Sequence, residues 1–169
     1  MSCLARWTIA AILVLFSVPA LGGENMELAP FGVHFSEPSD EVWEKSVVGN
    51  MTVGKLLAIN YITKRNPLKE FGVALMPTRV ADVHDPAARD LLLHQLGPRV
   101  SASEPSFADQ NGTTVLRIEF ESLRGTGNRG IALLAITGGN AVSVVATRVG
   151  RSPTKDKALC ELLESLRID

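Results

Sequence analysis

Gly125, Gly127 and Gly130 stand at GxGxxG spacing. In a dinucleotide site such glycines follow a strand and open a helix, whose N-terminus then meets the pyrophosphate. Here the residues that follow, Ile131 to Thr137, read as an antiparallel strand, so the pattern does not predict a nucleotide site. Arg124 and Arg129 make the same stretch basic, and binding residues often sit on loops held by a rigid scaffold. Arg124, Gly125, Gly127 and Arg129 are therefore the candidate partner-binding loop. Asp82, His84 and Asp85 form the second cluster, with His94 ten residues beyond His84. A zinc site needs three or four ligands in fixed geometry, usually in HExxH or CxxC spacing, and neither occurs. No GxSxG is present, and no spacing of Ser, His and Asp singles out a nucleophile with its base. Catalytic, cofactor-binding and metal-ligating residues are accordingly expected to be none. A small metal-dependent or hydrolytic enzyme using His84 and its neighbouring acids is the alternative.

Charge gives little direction. The chain has 169 residues, with 17 Lys and Arg against 18 Asp and Glu. That balance produces no field for bulk nucleic-acid binding. Glu37, Asp40, Glu41 and Glu44 form an acidic patch, and Arg148, Arg151, Lys155 and Lys157 a basic one, both expected on solvated faces. Asn50-Met51-Thr52 and Asn111-Gly112-Thr113 match the N-glycosylation pattern, which matters only in a eukaryotic host.

Residues 1–22 have the form of a signal peptide. Arg6 is the only charge before Glu24, an apolar run extends from Trp7 to Val18, and Ala20-Leu21-Gly22 gives a small-x-small exit. Cleavage is expected after Gly22, leaving residues 23–169 as one exported domain, periplasmic or secreted, with no membrane contact after processing. Cys160 is then the only cysteine, so no intramolecular disulfide can form. It reads as a small residue beside the apolar stripe of the last helix.

The elements that must position these groups are mostly strands. Phe31–Ser36 alternates apolar and polar residues, and Ser39 or Asp40 is placed to cap a short helical turn through Val42 and Trp43. Leu56–Ile62 and Phe71–Met76 flank Asn66-Pro67 as a hairpin. Asp85 and Pro86 start a helix that Gly97-Pro98 ends, with Ala88, Leu91, Leu92 and Leu96 as its buried stripe. Val115–Ser122 is a half-solvated strand. Ile131–Thr137 and Val142–Arg148 pair around Gly138-Gly139-Asn140 and are apolar on both faces, as central strands are. A last helix is expected over 152–167, with Leu159, Leu162, Leu163 and Leu166 on one face. These elements predict an α+β fold: a central antiparallel sheet of about six strands packed between helices, an α/β/α sandwich.

The opening FGVHFSEPSDEVWEK, through Phe31, Gly32, Phe35, Pro38 and Trp43, resembles the start of the PsbP-like superfamily. VLRIEFES, IALLAITGGNAVSVVAT and LCELLESLRI are similar to that family's late strands and C-terminal helix. The resemblance implies a sheet between helices and no catalytic motif. The family includes a photosystem II extrinsic protein, a nuclear-import factor that binds a small GTPase, and bacterial envelope proteins. Fewer aromatics on the late strands argue against a photosystem role, and no functional residue is carried over. The expectation is a monomeric, non-enzymatic envelope domain that binds a protein partner or small ligand and needs no cofactor.

Overall fold

The computed structural model describes residues 28–36, 38, 43–50, 56–123 and 127–169. The expected signal peptide over 1–22 lies outside them, as do Glu37, Ser39 to Val42, Met51, Thr52, Arg124 and Gly125.

The expected sandwich of six strands between helices is overturned. Among the described residues ten strands form two antiparallel sheets, and the two α-helices are short, at 11 and 9 residues. The strands are β1 (Val33–His34), β2 (Trp43–Asn50), β3 (Leu56–Thr63), β4 (Lys69–Pro77), β5 (Val100–Ala102), β6 (Ser106–Gln110), β7 (Thr113–Ser122), β8 (Asn128–Thr137), β9 (Asn140–Val149) and β10 (Arg167–Ile168). The helices are α1 (Pro86–Leu96) and α2 (Lys157–Ser165). The large sheet runs β2-β3-β4-β9-β8-β7-β5, with β6 also on β7, and β1 pairs with β10 in a separate ribbon.

Four strands escape the sequence pattern for identifiable reasons. β2 is an edge strand with mostly exposed side chains, so WEKSVVGN shows no buried alternation; Trp43 begins this strand and not a helical turn. β5 and β6 are short and largely exposed. β10 takes the end of the expected last helix, because Leu166 turns extended at φ −64°, ψ 128°. The start of that helix also moves. Ser152 caps only a 3-10 turn, and Asp156 is the N-cap of α2, accepting from the Leu159 amide at 3.3 Å. The first expected strand shrinks to two residues, since Ala29–Phe31 forms a 3-10 turn and Gly32 holds φ +73°.

Two apolar clusters lie on opposite faces of the large sheet. On one, Leu159, Leu162 and Leu166 pack with Leu57, Phe71, Leu75 and Val144, and Val33 and Ile168 of the ribbon join them. On the other, Ala88, Leu92 and Leu96 of α1 pack onto Leu116, Ile118, Phe120, Ala132 and Leu134. The α1 contacts centre on β7 and β8, so α1 covers only one side of its face. The strip formed by β3, β4 and the facing residues of β9 is left beside it.

Candidate functional site

β4, with sequence KEFGVALMP, alternates strictly. Phe71, Val73 and Leu75 enter the α2-side core, so Glu70, Gly72, Ala74 and Met76 face the strip beside α1. The register sets Asn60 beside Gly72 and Ala58 beside Ala74 from β3, and Thr147 beside Glu70, Val145 beside Gly72 and Ser143 beside Ala74 from β9. These small and polar residues cannot fill the layer beside α1. A partly open cleft of about 50 Å³ results, bordered on the helix side by Gln95. A Cβ at Gly72 would lie 2.6 Å from Asn60 Oδ1, so a larger residue there would need the Asn60 side chain to shift.

Glu70 is the chemically unusual group. It is 5% exposed, it lines both the cleft and an adjoining recess with Asn128 and Thr147, and its Oε1 has no hydrogen-bond partner. Burial raises its carboxyl from the ordinary 4.5 to about 7, and a hydrogen bond from the Thr147 side chain lowers it in part. At neutral pH the cleft thus holds a carboxyl divided between its two protonation states. Binding and catalytic sites are where such groups concentrate.

The opposite face at the same end of β4 carries a buried ion cluster. Lys69 Nζ lies 3.1 Å from Asp156 Oδ1, and Arg148 Nε lies 3.1 Å from Asp156 Oδ2. Arg148 was expected on a solvated basic patch, but β9 is central and holds it at 9% exposure. Asp156 caps α2 while meeting both cations, so this cluster fastens the helix to the sheet.

The residues singled out by sequence do not converge. Arg124 and Gly125 lie outside the described residues. Gly127 holds φ +63° and its carbonyl accepts from Gly150 at 2.9 Å, while exposed Arg129 pairs with Glu121 at 3.6 Å. Gly130 lies within β8, where the Phe120 ring occupies the space a side chain would need; contact with that ring accounts for the third glycine of the motif. Asp82 Oδ1 accepts from the His84 amide at 2.6 Å, and Asp85 Oδ1 accepts from the Ala87 amide at 2.9 Å as the α1 N-cap. The His84 ring stacks on half-exposed Phe107 at 4.3 Å between centroids. Among the described residues no three His, Cys, Asp or Glu side chains gather in metal-binding geometry. Glu44 is exposed and pairs with Lys64 at 3.7 Å. Asn111 donates to the carbonyls of Glu164 and Leu166, and Gln110 donates to the Leu163 carbonyl at 2.7 Å. They satisfy the carbonyls that the end of a helix leaves open. Cys160 is partly buried, its thiol contacts the Thr154 carbonyl at 3.3 Å, and burial with nearby Glu164 pushes its pKa up.

Sequence reasoning missed Glu70, Asn60, Ser143, Thr147 and Gln95 as a group. The available signal was a charged residue on the same face of a strand as Gly72 and Ala74, which are too small to fill the layer beside it.

No protein-family model matches this chain, and no curated protein does.

Proposed function

We propose that this chain is an exported, non-enzymatic domain that binds a small ligand in the cleft along β4. The observation that carries this reading is Glu70: a buried carboxyl with an unpartnered oxygen, set in a largely apolar, partly open cleft. Small-molecule sites are typically concave and mostly apolar, with a few placed polar groups that fix orientation. Asn60, Ser143, Thr147 and Gln95 supply further polar groups along the same strip. Export rests on the signal-like residues 1–22.

A ligand that binds only the folded state raises the melting temperature. Thermal-shift screening of a small-molecule library against the wild type and Ala74→Leu tests the reading. Ala74→Leu fills the cleft from its floor. Compounds should stabilise the wild type and lose that effect on the variant. Compounds that stabilise both equally bind elsewhere and would refute the assignment.

A further inference from the structure

Three buried side-chain oxygens around the cleft have no hydrogen-bond partner: Glu70 Oε1, Gln95 Oε1 and Asn128 Oδ1. Glu70 and Gln95 line the cleft itself, and Asn128 lines the recess that shares Glu70. All three are acceptors. A buried acceptor without a donor costs free energy that a donor-bearing guest would recover. The demand of this site is therefore for a guest rich in donors and poor in acceptors.

The shape adds a second requirement. Glu70 stands at one end of the strip and Met76, contacted by the Gln95 amide, at the other. Six residues of strand separate them, about 20 Å. Between them the β4 floor is Gly72 and Ala74, flanked by Ala58 and Ser143. Asn60 Oδ1 sits over Gly72, which leaves the Val145 and Ser143 side of the floor for a guest, room for an unbranched chain and not for a broad ring system.

We propose, building on the reading of this cleft as a ligand site, that its ligand is a primary amine with an unbranched aliphatic chain. The ammonium donates to Glu70 Oε1, and the chain runs past Val145 and over Ala74 toward Met76. An ammonium has N–H donors and no acceptor, which matches Glu70 Oε1, the orphaned oxygen at that end of the strip; a carboxylate or phosphate would meet Glu70 with like charge.

Proton balance follows from the carboxyl. An alkylammonium arrives already protonated, since its pKa lies near that of lysine. Below neutrality Glu70 carries its own proton, and that proton leaves to solvent as the ammonium–carboxylate pair forms. No charged side chain among the described residues faces Glu70 closely enough to compete. β3 presents Asn60 and Ile62, β9 presents Val145 and Thr147, and Asn128 comes from β8. Lys69 turns to the opposite face and meets Asp156. Glu44 lies across Ile62 on β2, exposed and paired with Lys64, and Arg89, Asp90 and His94 on α1 are exposed.

Isothermal titration of the purified protein with hexylamine, hexan-1-ol and hexanoate tests this, run at pH 6 and pH 8.5 in two buffers of different ionisation enthalpy. Hexylamine should bind one to one, release nearly one proton at pH 6 and almost none at pH 8.5, and bind about tenfold tighter at pH 8.5. Glu70→Gln, which removes a buried charge and keeps the side-chain shape, should abolish that pH dependence and most of the affinity. If hexanol or hexanoate binds more tightly than hexylamine, or if Glu70→Gln binds hexylamine unchanged, the amine assignment is overturned while the cleft stays a ligand site. If none of the three binds, the amine assignment fails, and the library screen against Ala74→Leu decides separately whether the cleft takes any ligand.

Discussion

Replacing Glu70 with Gln should make the protein more stable at high pH and leave it nearly unchanged in acid. The folded-state pKa is raised from 4.5 to about 7, so the native state holds the Glu70 proton more tightly than the unfolded chain does. The stability linked to that proton is fully present below pH 4.5 and is lost as pH rises through 7. At 1.36 kcal/mol per pKa unit, the loss amounts to about 3 kcal/mol by pH 8. Glutamine carries no charge at any of these pH values, and its amide oxygen can still accept from Thr147. The difference between Glu70→Gln and wild type should therefore grow by about 3 kcal/mol between pH 4.5 and pH 8, against a typical total of about 5–15 kcal/mol. Urea denaturation at pH 4.5, 6, 7 and 8 measures it, and subtracting the two curves cancels the titration of every other group. A difference constant across that range would mean Glu70 titrates as a solvated carboxylate, and the argument from its burial would fall.

Asp156→Ala removes both the α2 cap and the carboxylate that meets Lys69 and Arg148. It should cost about 3–5 kcal/mol in urea denaturation, as breaking a buried ion pair from one side does. Leu162→Ala, at a residue 3% exposed in the α2-side core, should cost about 2–5 kcal/mol. Gly130→Ala drives a methyl group into the Phe120 ring and should lower stability by about 1–3 kcal/mol, with Phe120→Leu partly restoring it. The Cys160 thiol, its pKa raised by burial, should react with a maleimide at pH 7 markedly more slowly than a free cysteine does. If residues 1–22 are removed as a signal peptide, mass spectrometry of the purified protein should find its N-terminus near Gly23.

The parts of the fold legible in the sequence were those where a run or stripe of buried apolar side chains lies between clear turn or cap residues. The β3–β4 hairpin, α1 between Asp85 and Gly97, and the β8–β9 hairpin around Gly138 and Gly139 all carry such patterns. Edge strands hide from this reading, because β2 and β6 gain their place from backbone pairing and bury little. The end of α2 hid for another reason. Leu166 continues the leucine spacing of a helix, yet its backbone is extended, and Gln110 and Asn111 from a distant turn receive the helix carbonyls. Their partners lie 53 to 56 residues away, beyond any local pattern. The cleft was illegible because it is a vacancy: small residues on three strands meet only when β9 inserts beside β4.

The central claim is that the strip beside α1 is where this protein meets its ligand. Amide chemical-shift mapping of the ¹⁵N-labelled protein during titration with a screening hit tests it most directly. Saturable shifts should concentrate on Ala58, Asn60, Glu70, Gly72, Ala74 and Ser143, with a smaller response at Gln95. Saturable shifts confined to the Gly127–Arg129 turn or to the exposed Phe107 and His84 would place binding elsewhere and contradict the account.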